Sequence, residues 1–521
     1  MKISRGHIGV GAALMFGLVV VVFAIQAAQA SSALRLAAGQ AEVLKNEIVI
    51  GDNVRAKSTL AALQSSAARA HNKTDGLLWE LGSRVPFAGR NVSAIRTVAE
   101  VVDDIAVNAM PPIVGLSEQI NLKAFSPRKG KVDLEAIVRI RPAVIKAATT
   151  LTTANDQVKD IDSGSLFLPI RGPIAVFQTK LKAAQSAAVN SRSAARLMPS
   201  MLGAKETRRY LLLVQNNAEI RPTGGIAGSF AVLKSVGGKL SMGQQGSIQD
   251  LLPFPDPVLP MGAEESSVFT SSLVSDLRDI NLTPHFPRTG EIAQAMAKKG
   301  LGVEIDGVVS VDPIAMSYLL NGTGPVQLKD GTMLNQGNAV SVLLNRVYTK
   351  YQDNNKQDDL FESAARRIFN VVKSGTGDPR SVIGALVNAA DENRLTLWSS
   401  HEAEQAEIAR TGVSGIVGGD DGDTPHVGVY LSDSASTKME YYLDYRTGVR
   451  SGRCLAGDIQ ELSTTTELTS NAPSKGLPQS VTGSGDYTPP GTMKIVMRLY
   501  SPYDGGFTEV RVNGKKQTVY A

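Results

Sequence analysis

"RRYLLLVQNNAEIRPTGGIAGSFAVLKSV", residues 208 to 236, decides the fold. The apolar run "YLLLVQ" reads as a buried strand and "GSFAVLKSV" as another. Between them stand Arg221, Pro222, Gly224 and Gly225. A turn accounts for the glycines but gives no reason for an arginine. Further short runs, "GVVSVD", "PVQL" and "LTLWS", read as strands and alternate with patterns of helical period. The helical patterns are "TGEIAQAMAKKG", "PIAMSYLLNG", "NAVSVLLNRVYTKY", "DDLFESAARRIFNVVKSG" and "SVIGALVNAADENR". Strands alternating with helices predict an α/β layer domain over residues 207–400.

The flanks have other characters. Lys2 and Arg5 precede an uncharged run from Ile8 to Ala30, longer than the ~20 apolar residues that cross a bilayer core. With the basic flank inside, this predicts a single-pass anchor over residues 1–30 and an extracytoplasmic bulk. "AQA" followed by Ser31 also fits cleavage of a signal peptide, but the length of the run favours retention. Residues 31–206 are Ala-rich with apolar spacing of three and four, a helical stalk or bundle expected to break at Pro111, Pro112 and "SPRKGK". Residues 401–425 read as a linker, with the Asp-rich "GGDDGDTP" lacking the spacing of an EF-hand. Residues 426–521 read as a β-rich, sandwich-like domain with a hairpin at Asn513-Gly514.

Composition excludes several classes. The net charge of +5 is small and dispersed, which argues against a nucleic-acid partner. Cys454 is the one cysteine, so no intrachain disulfide or multi-cysteine metal site exists. The five histidines are scattered, and neither HExxH, GxSxG nor SxxK occurs.

The α/β segment holds the chemical candidates. Gly224 and Gly225 allow close backbone approach to a ligand, and Arg221 offers a forked grip on phosphate. In "SDLRDINLTPHFPRTGE", Asp276 and Asp279 suit Mg²⁺, and Arg278 and Arg288 suit phosphate. In "LLNRVYTKYQDNNKQDD", Arg346 and Lys350 share a helical face, with Asp353 in the exit loop. The bland readings are a plain turn, a charged surface loop and a solvated helical face.

"NNAEIRPTGGIAGSF", "DINLTPHFP", "VEIDGVVSVDPIAMSYLLNGTGPVQL" and "LLNRVYTKYQD" resemble the DUF4012 family of membrane-anchored bacterial envelope proteins, whose function is uncharacterised. The order "FPRT" (286–289), "IDGVVSVDPIAMSYLLNGTGPV" (305–326) and then an arginine-bearing helix is distantly similar to LytR-CpsA-Psr proteins. That resemblance implies transfer of a glycopolymer from a polyprenyl-pyrophosphate carrier to peptidoglycan, with arginines on the pyrophosphate and a carboxylate-held Mg²⁺. It places Arg221, Arg288 and Arg346 at motif arginines. It fails at the carboxylates: Pro222 and Thr223 follow Arg221, and Thr289 stands where "PRD" has its aspartate. Asp276 and Asp279 are the available substitutes.

Two expectations result. In the first, Arg221, Arg288 and Arg346 converge on one anion pocket with Asp279 as a catalytic carboxylate. Asp276 and Asp279 then hold the metal, and Gly224, Gly225, Arg278, Lys350 and Asp353 line the ligand. In the second, the protein is a non-catalytic envelope scaffold.

Overall fold

The computed structural model describes residues 5–119, 127–251, 254–418, 425–457 and 459–518. The chain divides into two compact units, Met1–Phe125 with Asp133–Pro199, and Ser126–Val132 with Ser200–Ala521.

The first unit is helical: α1 (Arg5–Ile50), α2 (Asn53–Thr74), α3 (Leu77–Ser83), α4 (Gly89–Asp104), α5 (Met110–Gln119), α6 (Leu134–Val158) and α7 (Leu168–Met201). The apolar run and the amphipathic stretch after it form one unbroken helix of 46 residues. Among the described residues, α1 is the single helix long and apolar enough to cross a membrane. Gly51, at φ +79°, reverses the chain, and the Asp52 side chain caps α2 by accepting from the Arg55 amide. Small buried residues, Ala33, Ala37, Ala56, Ala67 and Ala70, let α1 and α2 pack closely. The expected break at Pro111 and Pro112 does not occur, because a π-helical turn, Ile105–Ala109, leads directly into α5. The prolines follow this change of register, where missing N–H donors cost least. Ser126 of the second expected break, "SPRKGK", lies outside the described residues; Arg128 to Lys131 form a tight turn with Lys129 and Gly130 at positive φ.

The second unit is built on a five-stranded mixed sheet ordered β3-β2-β1-β4-β7. Its strands are β1 (Arg208–Arg221), β2 (Gly224–Val236), β3 (Lys239–Ser247), β4 (Gly307–Val311) and β7 (Leu395–Ser399), with a small hairpin of β5 (Val326–Gln327) and β6 (Met333–Leu334) inserted. β1 runs parallel to β4 and antiparallel to β2. Successive residues of "LLLV" in β1 point to opposite faces, and both faces are covered. Leu211 and Leu213 join Phe230, Val308 and Trp398 under α9 (Phe286–Leu301), while α8 (Ala263–Val268) precedes that helix. Leu212 and Val214 pack with α10 (Pro313–Thr323), the turns Val342–Lys350 and the helix Asn354–Ser374. The polar edge strand β3 was not readable from its period; Gly237 and Gly238, both at positive φ, turn the chain into it.

The C-terminal strands do not make a sandwich. They form three separate ribbons: β8 (Gly428–Asp433) with β11 (Ile495–Tyr500), β9 (Leu443–Cys454) with β10 (Gln460–Ser470), and β12 (Val510–Val512) with β13 (Lys515–Gln517). The reason is composition: "YRTGVRSGRC" and "STTTELTS" carry polar side chains on both faces, so neither face can be buried against a second sheet. Asn513 and Gly514 do form the β12–β13 turn, both at positive φ. The stretch expected as a linker opens with a helix, Glu402–Ile408, and residues 419–424 of "GGDDGDTP" lie outside the described residues.

A Cβ at Gly290 of α9 would stand 2.4 Å from the Trp398 ring, whereas Gly384, on an exposed helical face, has nothing within 4 Å. Gly290→Ala is therefore expected to destabilise by ~1–3 kcal/mol from overpacking. Gly384→Ala should stabilise by ~0.5–1 kcal/mol through helix propensity. Denaturant midpoints of the two variants check the contrast.

Candidate functional site

The strongest concentration of buried polar groups lies at the carboxyl end of β1. Pairing there is irregular: Asn216 opposes Ile226, Ile220 opposes Gly225, and Asn217, Ala218 and Glu219 bulge out between. The glycines are required by this geometry. A Cβ on Gly225 would lie 2.1 Å from the Asn216 carbonyl oxygen, and Gly224, at φ +132°, lies against the Gln215 side chain. The bulge turns side chains toward distant segments. Asn217 Nδ2 donates to Asp312 Oδ2 at 3.0 Å, and Arg394 Nη1 reaches the same oxygen at 2.9 Å. Asp312, 1% exposed, also caps α10 by accepting from the Ala315 amide.

Arg221 is an internal clamp. It is buried, and its Nη1 donates to the Asp433 carbonyl at 3.0 Å and the Ile220 carbonyl at 3.2 Å. Its Nη2 faces Asp279 Oδ1 at 3.5 Å, so two of the predicted residues do meet. Beside them Glu219 contacts the Lys438 ammonium, which stands 5.5 Å over the ring of Tyr348. Tyr348 in turn accepts from Asn216 Nδ2 at 2.6 Å. Burial, and next the neighbouring Asp433 carboxylate, push Glu440 up to about 8; burial pulls Lys438 down to about 8 against the attraction of Glu440.

The other predicted residues lie elsewhere. Arg278 grips Asp276 with two parallel bonds, Nε to Oδ1 at 3.0 Å and Nη2 to Oδ2 at 2.6 Å. Arg288, in the first turn of α9, bonds Glu265 at 2.8 Å, Glu291 at 3.1 Å and the Pro260 carbonyl at 2.7 Å. It borders a cleft of about 820 Å³ whose other charged walls are Arg209, Glu291, Lys298, Glu304 and Asp306, with the His401 ring beside them. Arg346 is exposed, Lys350 pairs with Asp330 at 2.8 Å, and Asp353 caps the helix Asn354–Ser374 by accepting from the Asn355 amide.

The single anion pocket expected for Arg221, Arg288 and Arg346 does not form. Arg288 and Arg346 sit on helices that cover opposite faces of the sheet, and Arg221 shares no partner with either. The two carboxylates expected to hold Mg²⁺ both face arginines. Both oxygens of Asp276 are taken by Arg278, Asp279 faces Arg221, and the described residues contain no group of three His, Cys, Asp or Glu placed to hold a metal ion. Sequence reasoning missed Glu219, Asp312, Arg394, Lys438 and Glu440. Asp312 carried a signal, as an N-cap before Pro313; the others are joined only by the fold.

Residues 205–348, from just before β1 to Tyr348, match a family described as "Protein of unknown function (DUF4012)". No curated protein matches the chain.

Glu440 makes stability depend on pH. Its pKa is raised from 4.5 to about 8, so the folded state holds a proton that the unfolded state releases in this window. The contribution is complete below pH 4.5 and lost as pH rises through about 8, by an amount on the order of a few kcal/mol. Glu440→Gln, neutral throughout, should flatten this fall; thermal melts between pH 5 and pH 9, as roughly spaced points across the window, measure it.

Proposed function

We propose that the protein is a membrane-anchored, extracytoplasmic envelope protein whose second unit serves as a non-catalytic scaffold. One observation carries the reading. Apart from exposed Arg346, the charged groups expected to serve phosphoryl transfer are committed to one another: Arg221 to Asp279, Arg278 to Asp276, Arg288 to Glu265 and Glu291, and Lys350 to Asp330. A pyrophosphate would have to displace these carboxylates before it met Arg221, Arg278 or Arg288, and exposed Arg346 sits on the other side of the sheet from Arg288. The anchor reading rests on the uncharged run and on α1 passing through residues 30 and 31 without a break.

The β9–β10 ribbon is where a scaffold of this design would hold a partner. Its 12- and 11-residue strands are exposed almost throughout. A two-stranded ribbon alone is marginally stable, and its outer edges present unpaired backbone donors and acceptors to an incoming strand of another protein.

A second reading, transfer of a glycopolymer from a polyprenyl-phosphate carrier to peptidoglycan, draws on the cleft. Arg209, Arg288 and Lys298 line it, and a phosphate entering there would compete with Glu291 for Arg288 and with Glu304 for Lys298.

Calorimetric titration of the detergent-solubilised full chain with a short-chain polyprenyl phosphate separates the two. The scaffold reading expects no saturable binding, with or without Mg²⁺. It also expects Arg221→Ala to lower stability by ~1.5–3 kcal/mol, the worth of a charge-assisted bond. Saturable binding that Arg288→Ala weakens by ~10-fold or more would overturn it in favour of transfer.

A further inference from the structure

We infer that the first unit carries a second membrane contact, an apolar foot that rests in the outer interface of the bilayer beside the α1 span; the inference builds on the anchor proposed above. The foot is made of α3 and its exit turn, with the turn that leads into α7. Leu77, Leu81, Val85 and Phe87 are exposed on the first segment, and Phe167 and Leu168 on the second. Exposures of 78% at Leu77, 86% at Phe87 and 80% at Leu168 leave these side chains almost bare. Scattered apolar residues on a surface are ordinary; a cluster on two adjoining loops is not.

Three observations place a bilayer against them. The first is continuity with the span. Trp79 of α3, 1% exposed, donates from Nε1 to Gln26 Oε1 at 3.0 Å, and its ring lies 4.7 Å from that of Phe23. Counting ~20 residues from Ile8, the apolar core ends near residue 27, so Phe23 and Gln26 belong to its last turn. Trp79 therefore ties α3 to the last turn of the proposed span.

The second is the course of the helices. α2 returns along α1 from the Gly51 turn until Ala70 packs with Ala33, which brings α3 to the level of the span. α6 returns likewise, and Leu166 and Ile174 pack with Ala94, Val98 and Leu34. Buried Asn91 joins the two loops, accepting from the Phe167 amide at 2.8 Å and donating to the Phe87 carbonyl at 3.4 Å.

The third is strain. Phe87 adopts φ +65°, a conformation that bulky residues avoid, and uses it to hold an aromatic ring in the open. No packing within the protein gains from this. Arg90 and Arg171, both exposed, follow Phe87 and Phe167 by three and four residues and suit lipid phosphates.

The test uses the full chain with Cys454→Ser as background and one cysteine at a time introduced as Phe87→Cys, Leu168→Cys, Val54→Cys or Val21→Cys. Each is labelled with an environment-sensitive fluorophore and reconstituted into phosphatidylcholine vesicles. Labels at positions 87 and 168 should shift to the blue and lose most of their emission to a bilayer-confined nitroxide quencher. The label at position 21 should behave in the same way. The label at position 54, 83% exposed at the opposite end of α2, should stay water-like. Water-like labels at 87 and 168 with a lipid-like label at 21 would overturn the foot and leave the anchor standing. A water-like label at 21 would remove the span itself, and the foot with it.

Discussion

A strand buried on both faces must find a partner for every polar group it carries, and β1 ends in a run of them. Asn216, Asn217, Glu219 and Arg221 follow directly on "LLLVQ", in a setting where an unpaired donor or charge costs more than a paired one returns. The bulge at residues 217–219 is the answer. It aims each side chain at a different segment: Asn217 at Asp312, which also holds Arg394; Glu219 at Lys438; Arg221 at Asp279 and the Asp433 carbonyl. The end of one strand thus determines where four other stretches of chain are fixed, including the start of the C-terminal region.

The sequence made most of the sheet legible, for a physical reason. β1, β2, β4 and β7 are dense apolar runs bounded by turn residues, and burial on both faces leaves such runs little alternative. β3 is polar, lies at the edge, and is placed by its hairpin with β2, so its own residues hardly announce it. Pro111 and Pro112 misled because their effect depends on register, which the π turn before them sets. The Asn513-Gly514 turn was readable because two successive positive φ values need those residue types. The sandwich was not realised because strand propensity says nothing about whether a face has enough apolar area to bury.

The site was legible in residue type and illegible in pairing. "NNAEIRPTGG" showed that something unusual happens after β1, and it does. The partners that decide what Arg221 does lie 58 and 212 residues away. Motif position cannot separate an arginine that waits for phosphate from one that holds the protein together. The first faces solvent or a cleft with spare donors; the second spends its donors on carbonyls and carboxylates of its own chain. Arg221 is of the second kind, and Arg288, although it borders a cleft, is largely so.

The unbroken course of α1 has a mechanical consequence. If α1 spans the bilayer as proposed, its continuation from Ser31 to Ile50, without a proline, glycine pair or π turn, is a lever with no joint. Those residues extend ~30 Å beyond the span at 1.5 Å each. A tilt of ~20° in the span, common for single helices, then carries the far end sideways by about 10 Å. In such an anchor, bilayer thickness, which governs tilt, would control how far the end of α1 at Ile50 reaches.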